Sequence, residues 1–126
     1  MPISINYDPD QNALFPDATG EMSLEDIMRY YSEIEQMDFK PQYSVLADYS
    51  KASLDLNFDD VTKIALRRHS ISQRVNPIKI AIVSKSDLAF GLGRMYQCLI
   101  DNENIEVNVF RDRGKAEQWL GIKDID

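Results

Sequence analysis

Apolar and polar positions change period several times along the chain, and each change marks an element. Ile3, Ile5 and Tyr7 alternate with polar residues, the period of a strand with one buried face. Pro9-Asp10-Gln11-Asn12 supplies turn chemistry, because Pro fixes φ while Asp and Asn side chains bond to nearby backbone. A second strand is predicted over Ala13–Ala18. Pro16 lies inside it without an N–H for a ladder, which places it at an edge or a bulge. Gly20 closes this section and helical spacing takes over: Leu24, Ile27, Met28, Tyr31 and Ile34 make one apolar stripe behind a Ser23 cap. Glu25 and Asp26 fall in its first turn, where the helix dipole favours negative charge, and Pro41 prevents continuation.

The rest of the chain repeats one rhythm. Three β-rich runs, Tyr43–Asp48, Ile78–Val83 and Ile105–Phe110, are each followed by a helix start. Asn57 caps the first of these helices. Val61, Ile64 and Ala65, with Ile71, supply its inner face, and Asp59, Asp60, Arg67 and Arg68 are placed to complement the dipole at its two ends. Asn76-Pro77 ends it. The Ile and Val run that follows suggests burial on both faces, as at the centre of a parallel sheet. Ser86 caps the next helix, with Leu88, Leu92, Met95, Tyr96 and Leu99 as its stripe. Asp101-Asn102-Glu103-Asn104 forms the turn after it. Asp112 caps a last, short helix with Ala116, Trp119 and Leu120 facing inward, and Gly121 and Ile122 form a left-handed stop. Strand–helix–strand units with parallel pairing cross over right-handed. The fold class is therefore α/β, a mixed sheet of about five strands flanked by about four helices, within one domain spanning residues 1–126.

Composition narrows the function classes. A net charge of −7 argues against a nucleic-acid surface, which needs clustered basic residues. The single cysteine, Cys98, allows no intramolecular disulfide and is read as a small buried hydrophobe. The first residues lack the basic start and apolar stretch of a signal peptide, and no apolar run approaches the roughly 20 residues of a membrane span. A cytoplasmic protein is expected.

In open α/β sheets, ligands gather beyond the carboxyl ends of the strands. Those ends present Asp48, Tyr49 and Ser50, then Ser84, Lys85 and Ser86, then Arg111 and Asp112. Ser84 and Ser86 stand at a helix start whose free N–H groups favour an anion, although capping by Ser86 alone accounts for a serine there and is the favoured reading. Asp48 is read either as a cation-binding or basic carboxylate or as the cap of the following turn. Arg94 and Arg111 are candidate partners for it or for a bound anion. Phe90 and the tyrosines are candidates to line an apolar pocket. Gly91-Leu92-Gly93 is no nucleotide fingerprint, since both glycines fall inside a helix. Close contact with the sheet or room for a ligand would offset their cost. His69, the only histidine, stands late in a charged helix with no nucleophile or metal partner at a telling spacing. Asp48, Tyr49, Ser84, Ser86, Phe90, Arg94 and Arg111 are thus the candidate ligand- or partner-binding residues, with no catalytic set, no metal site and no cofactor motif.

Two stretches resemble a known family. Ser86-Asp87-Leu88-Ala89-Phe90-Gly91-Leu92-Gly93-Arg94-Met95-Tyr96 and Val109-Phe110-Arg111-Asp112, continuing through Ala116, Trp119 and Leu120, are similar to the SpoIIAA-like, STAS/CRAL-TRIO-related family of small bacterial proteins. The Gly20-to-Ser23 entry and Asp48 match that family's pattern too. The resemblance implies a STAS-like sheet flanked by helices. Anti-sigma-factor antagonists carry an Asp-Ser-Ser-Gly-type turn with a phosphorylated serine after the central strand. This chain has Asp48-Tyr49-Ser50-Lys51-Ala52-Ser53 there. Ser50 is the corresponding phosphorylation candidate, and the missing glycine argues against an intact switch. Lipid-carrier relatives instead enclose an apolar ligand. The first expectation is a non-enzymatic regulatory module that binds a protein partner or itself as a homodimer. The alternative is a carrier or sensor of a small apolar or anionic, lipid-like ligand. An enzyme comes third, and convergence of Asp48 and Arg94 in an open cleft would favour it.

Overall fold

The computed structural model describes residues 3–72, 77–102 and 104–123. β1 (Ile3–Asp8) and β2 (Ala13–Met22) form an antiparallel hairpin. Then follow α1 (Leu24–Glu35), β3 (Ser44–Leu54), α2 (Phe58–Ser72), β4 (Ile78–Val83), α3 (Asp87–Ile100), β5 (Ile105–Phe110) and α4 (Arg113–Leu120). Strand order in the single five-stranded sheet is β1-β2-β3-β4-β5, and every pairing after the first is parallel. Consecutive right-handed crossovers between neighbouring strands put their helices on one side. Accordingly α1, α2 and α3 share one core with the even-numbered positions of β4 and the odd-numbered positions of β5. Among the described elements α4 alone covers the opposite face, where Ala116 packs with Phe15, Leu46, Ala81 and Val83. No helix among the described residues is long and apolar enough to cross a membrane.

Local chemistry accounts for the element ends. Ser23 and Asp26 form a reciprocal capping box, and Asn57 and Asp60 exchange the same pair of bonds at the start of α2. Ser86 accepts from the Ala89 N–H and Asp112 from the Gly114 N–H. Gly121, at φ 69°, stops α4 with the Ile122 N–H bonded to the Glu117 carbonyl. Pro77 directly precedes β4; Asn76 and Glu103, expected in turns, lie outside the described residues.

Three expectations are corrected. The second and third strands run beyond Ala18 and Asp48, because β2 and β3 go on pairing from Thr19↔Lys51 to Met22↔Leu54 after a register shift. Asp48 is therefore an interior residue of β3, although β4 ends opposite it at Val83. Pro16 lies on an interior strand and not at an edge, while the register shift beside it fits the bulge, the other expected place. On α3 Leu92 and Tyr96 of the expected stripe are buried and Met95 packs against the core, but Ala89, Gly93 and Ile100 complete the buried face while Leu88, Leu99 and Cys98 are exposed.

The α3 glycines separate cleanly. A Cβ on Gly93 would stand 3.1 Å from Val109 Cγ1, so close helix–sheet packing explains that glycine. A Cβ on Gly91 would meet nothing within 4 Å. Gly91→Ala is expected to raise stability by about 0.5–1 kcal/mol, the helix-propensity difference. Gly93→Ala should lower it. Urea unfolding of both variants checks the pair.

Candidate functional site

The carboxyl ends of the strands carry different chemistry on the two faces of the sheet. On the α4 face, side-chain alternation brings Asp17 of β2 and Asp48 of β3 together, since the two are register partners. Arg113 in the first turn of α4 meets both: its Nη1 donates to Asp48 Oδ2 at 2.7 Å and lies 3.3 Å from Asp17 Oδ1. Asp48 Oδ1 accepts the Ser50 N–H at 2.8 Å. Burial would raise the Asp48 carboxyl, but the hydrogen bonds from Ser50 and Arg113 outweigh it and hold the group below its ordinary value. These residues, with Lys51, Lys85 and Arg111, border an open groove of about 800 Å³.

Asp48→Asn is expected to cost about 1–2 kcal/mol at neutral pH, the scale of a charged hydrogen bond. A depressed folded value means that the stabilisation is fully present above the unfolded carboxylate value of about 3.9 and is lost as pH falls through the folded one. Unfolding curves of the parent and variant measured from pH 7 downward should therefore converge in acid.

Beside this groove, Arg111 clips the end of β5 to the start of α3. It donates to the Lys85 carbonyl and to Asp87 Oδ1, both at 2.9 Å, and stacks 4.5 Å from the Phe90 ring centre. Ser86 is occupied as the cap of α3. Ser84 turns the other way: it is wholly buried, its N–H bonds to the Phe110 carbonyl, and its Oγ has no partner.

Ser84 lines a cavity of about 60 Å³ on the three-helix face, between β3, β4 and the helices. α2 packs chiefly on α3 and α1 rather than directly on the sheet, and the space lies beneath it. The walls are mostly apolar, with Val45, Ile80, Ile82 and Leu92 among them, and tyrosines supply most of the remainder. Arg68 of α2 enters this wall. It is 1% exposed, yet its partners are neutral: Nη1 donates to Tyr43 Oη at 3.0 Å, Nη2 to Tyr30 Oη at 3.5 Å, and the guanidinium lies 5.0 Å from the Tyr31 ring centre. Its Nε has no partner. Tyr31 and Tyr96 hydroxyls meet at 3.5 Å. Burial pushes the hydroxyls of Tyr30, Tyr49 and Tyr96 up, so they stay protonated. Burial works against the charge on Arg68, but a guanidinium keeps its proton in a protein, and the neutral tyrosine hydroxyls accept from it.

Among solved structures, the chain superposes on an uncharacterised protein of the DUF3478 family from Shewanella loihica PV-4, described as having a SpoIIAA-like fold. The TM-score is 0.60 at 22% identity, over 94% of this chain and 91% of that one. This fold is SpoIIAA-like. At that identity the likeness speaks to the SpoIIAA-like architecture alone. No family model and no curated protein matches the sequence.

Within the SpoIIAA-like frame, the predicted site residues divide into three groups. Asp48 and Arg111 border the charged groove, with Ser50 beside them, while Tyr49 and Ser84 line the cavity on the opposite face. Ser86 and Phe90 belong to the surface clip at the start of α3. Arg94 is exposed on α3 and does not meet Asp48, whose arginine partner is Arg113. No group of three His, Cys, Asp or Glu side chains able to hold a metal occurs among the described residues. Two arginines escaped the sequence reading. Arg68 was assigned to the helix end, yet it stands at i+7 from Val61 on the stripe of Val61, Ile64 and Ala65, which is the signal that finds it. Arg113 follows the Asp112 cap and carries no periodic signal.

Proposed function

We propose that this chain is a non-enzymatic carrier or sensor that holds a small, apolar-bodied ligand between the sheet and α2. The observation that carries this reading is the cavity of about 60 Å³ at the centre of the larger core. Native cores are close-packed and tolerate few voids larger than a water molecule. A retained hollow, floored by β3 and β4 and roofed by a helix that rests on its neighbours, fits an interior that receives something. Asp48 is held by Arg113 and does not converge with Arg94, which supports a binding role over catalysis. Native mass spectrometry of freshly purified protein tests the proposal. A reproducible added mass, or a thermal shift with small apolar compounds, is the expected result. A bare chain with no shift would overturn it.

A regulatory module that binds a protein partner or a second copy is the other reading. Phe58 and Leu66, exposed at 71% and 65% on α2, favour it. Sizing at high concentration together with affinity capture tests it, and a monomer without a partner counts against it.

A further inference from the structure

We infer that the ligand of this cavity is a short-chain monocarboxylate whose acid group pairs with Arg68 and Ser84. The inference rests on the carrier reading and adds the chemical class of the ligand. A guanidinium does not deprotonate in a protein, so Arg68 brings a full positive charge into the core. Buried charges are ordinarily paired with an opposite charge. Among the described residues no carboxylate lies within ion-pair distance of Arg68. The hydroxyls of Tyr43, Tyr30 and Tyr96, the Tyr31 ring and an unpartnered Nε make up its polar surroundings. Water could fill the hydrogen-bonding deficit at Nε, but only an anion offsets the charge.

Ser84 is the second, independent sign. Its hydroxyl is wholly buried, lines the same cavity and has no partner. A carboxylate accepts from an arginine N–H and from a serine O–H, the two donor types that line this cavity without a partner. The charge count limits the class further. One guanidinium matches one negative charge, whereas a phosphate dianion would leave a second charge buried and unpaired. A cation would meet Arg68 as a like charge. Val45, Ile80, Ile82 and Leu92 offer a small apolar body its contacts. The volume sets the tail: about 60 Å³ is well below the ~150 Å³ of a cavity that accepts benzene, so the chain is short.

The test uses the full chain and calorimetric titration at constant ionic strength. Sodium acetate, propionate, butyrate and hexanoate are compared with propionamide and 1-propanol. Acetate or propionate should bind at least about tenfold tighter than propionamide, equivalent to roughly 1.4 kcal/mol. Arg68→Met should abolish that preference and Ser84→Ala should weaken acid binding severalfold. Equal binding of acid and amide overturns the acid assignment while leaving the carrier reading intact. Tightest binding of hexanoate overturns the short tail. Undiminished acid binding by Arg68→Met moves the site elsewhere and overturns the inference. If no probe binds and native mass spectrometry finds a bare chain, the carrier reading fails with it. Should Arg68→Met not fold, the acid-to-amide ratio of the parent protein and the Ser84→Ala variant decide.

Discussion

Ile80→Ala is expected to lower stability by about 2–4 kcal/mol, the usual range for removing three carbons from a packed aliphatic site. Ile80 is 2% exposed at the middle of β4, paired in register with Val45 and Val107, and it forms part of the cavity wall. Its neighbours are held by the ladder on both sides, so the backbone has little freedom to collapse into the space. The lost volume should join the existing hollow. Two readouts follow: a urea midpoint shifted down with an unchanged slope, and a preference for longer acids such as butyrate in the titration series. A stability loss without any change in chain-length preference would mean that the side chain faces the core but not the ligand.

Arg68→Met is expected to act in the opposite direction, raising stability in ligand-free buffer by about 1–2 kcal/mol. Replacing a buried charge with an apolar side chain of similar length removes a desolvation cost of several kcal/mol. Against this stands the loss of two hydrogen bonds from the charged guanidinium, of which the 3.0 Å bond to Tyr43 is worth about 1.5–3 kcal/mol and the 3.5 Å contact with Tyr30 less. Thermal and urea unfolding give the sign directly. A gain in stability together with a loss of acid binding would identify Arg68 as retained for recognition. A loss of several kcal/mol would identify it as a structural fixture of the tyrosine cluster.

Strand and helix order was legible because it depends on local signals: the Ser23, Ser86 and Asp112 caps, the Gly121 stop and the Ile78–Val83 run all act within a few residues. The lengths of β2 and β3 were not. Tyr49-Ser50-Lys51-Ala52-Ser53 reads as a polar connection in isolation, and becomes strand only because β2 supplies a partner after the register shift. The site was legible in part for the same reason. Asp48 and Ser84 could be found because each directly follows an apolar run, whereas Arg113 reaches Asp48 across 65 positions and Tyr43 lies 25 residues before Arg68. Arg68 was concealed differently. Its charge suggested a solvated helix end, and its spacing, which agreed with the apolar stripe, was the better guide.

The agreement between strand order and chain order has a consequence for biosynthesis. Each strand that leaves the ribosome finds its lateral neighbour already made, so the sheet can grow by addition at one edge without waiting for a distant segment. The cavity has its roof once α2 exists but only gains Ser84 and the α3 wall afterwards. Of the described elements α4 is made last, and it brings the arginine that closes on Asp48 and Asp17. The two faces of the molecule are therefore completed in sequence, the hollow one before the charged one.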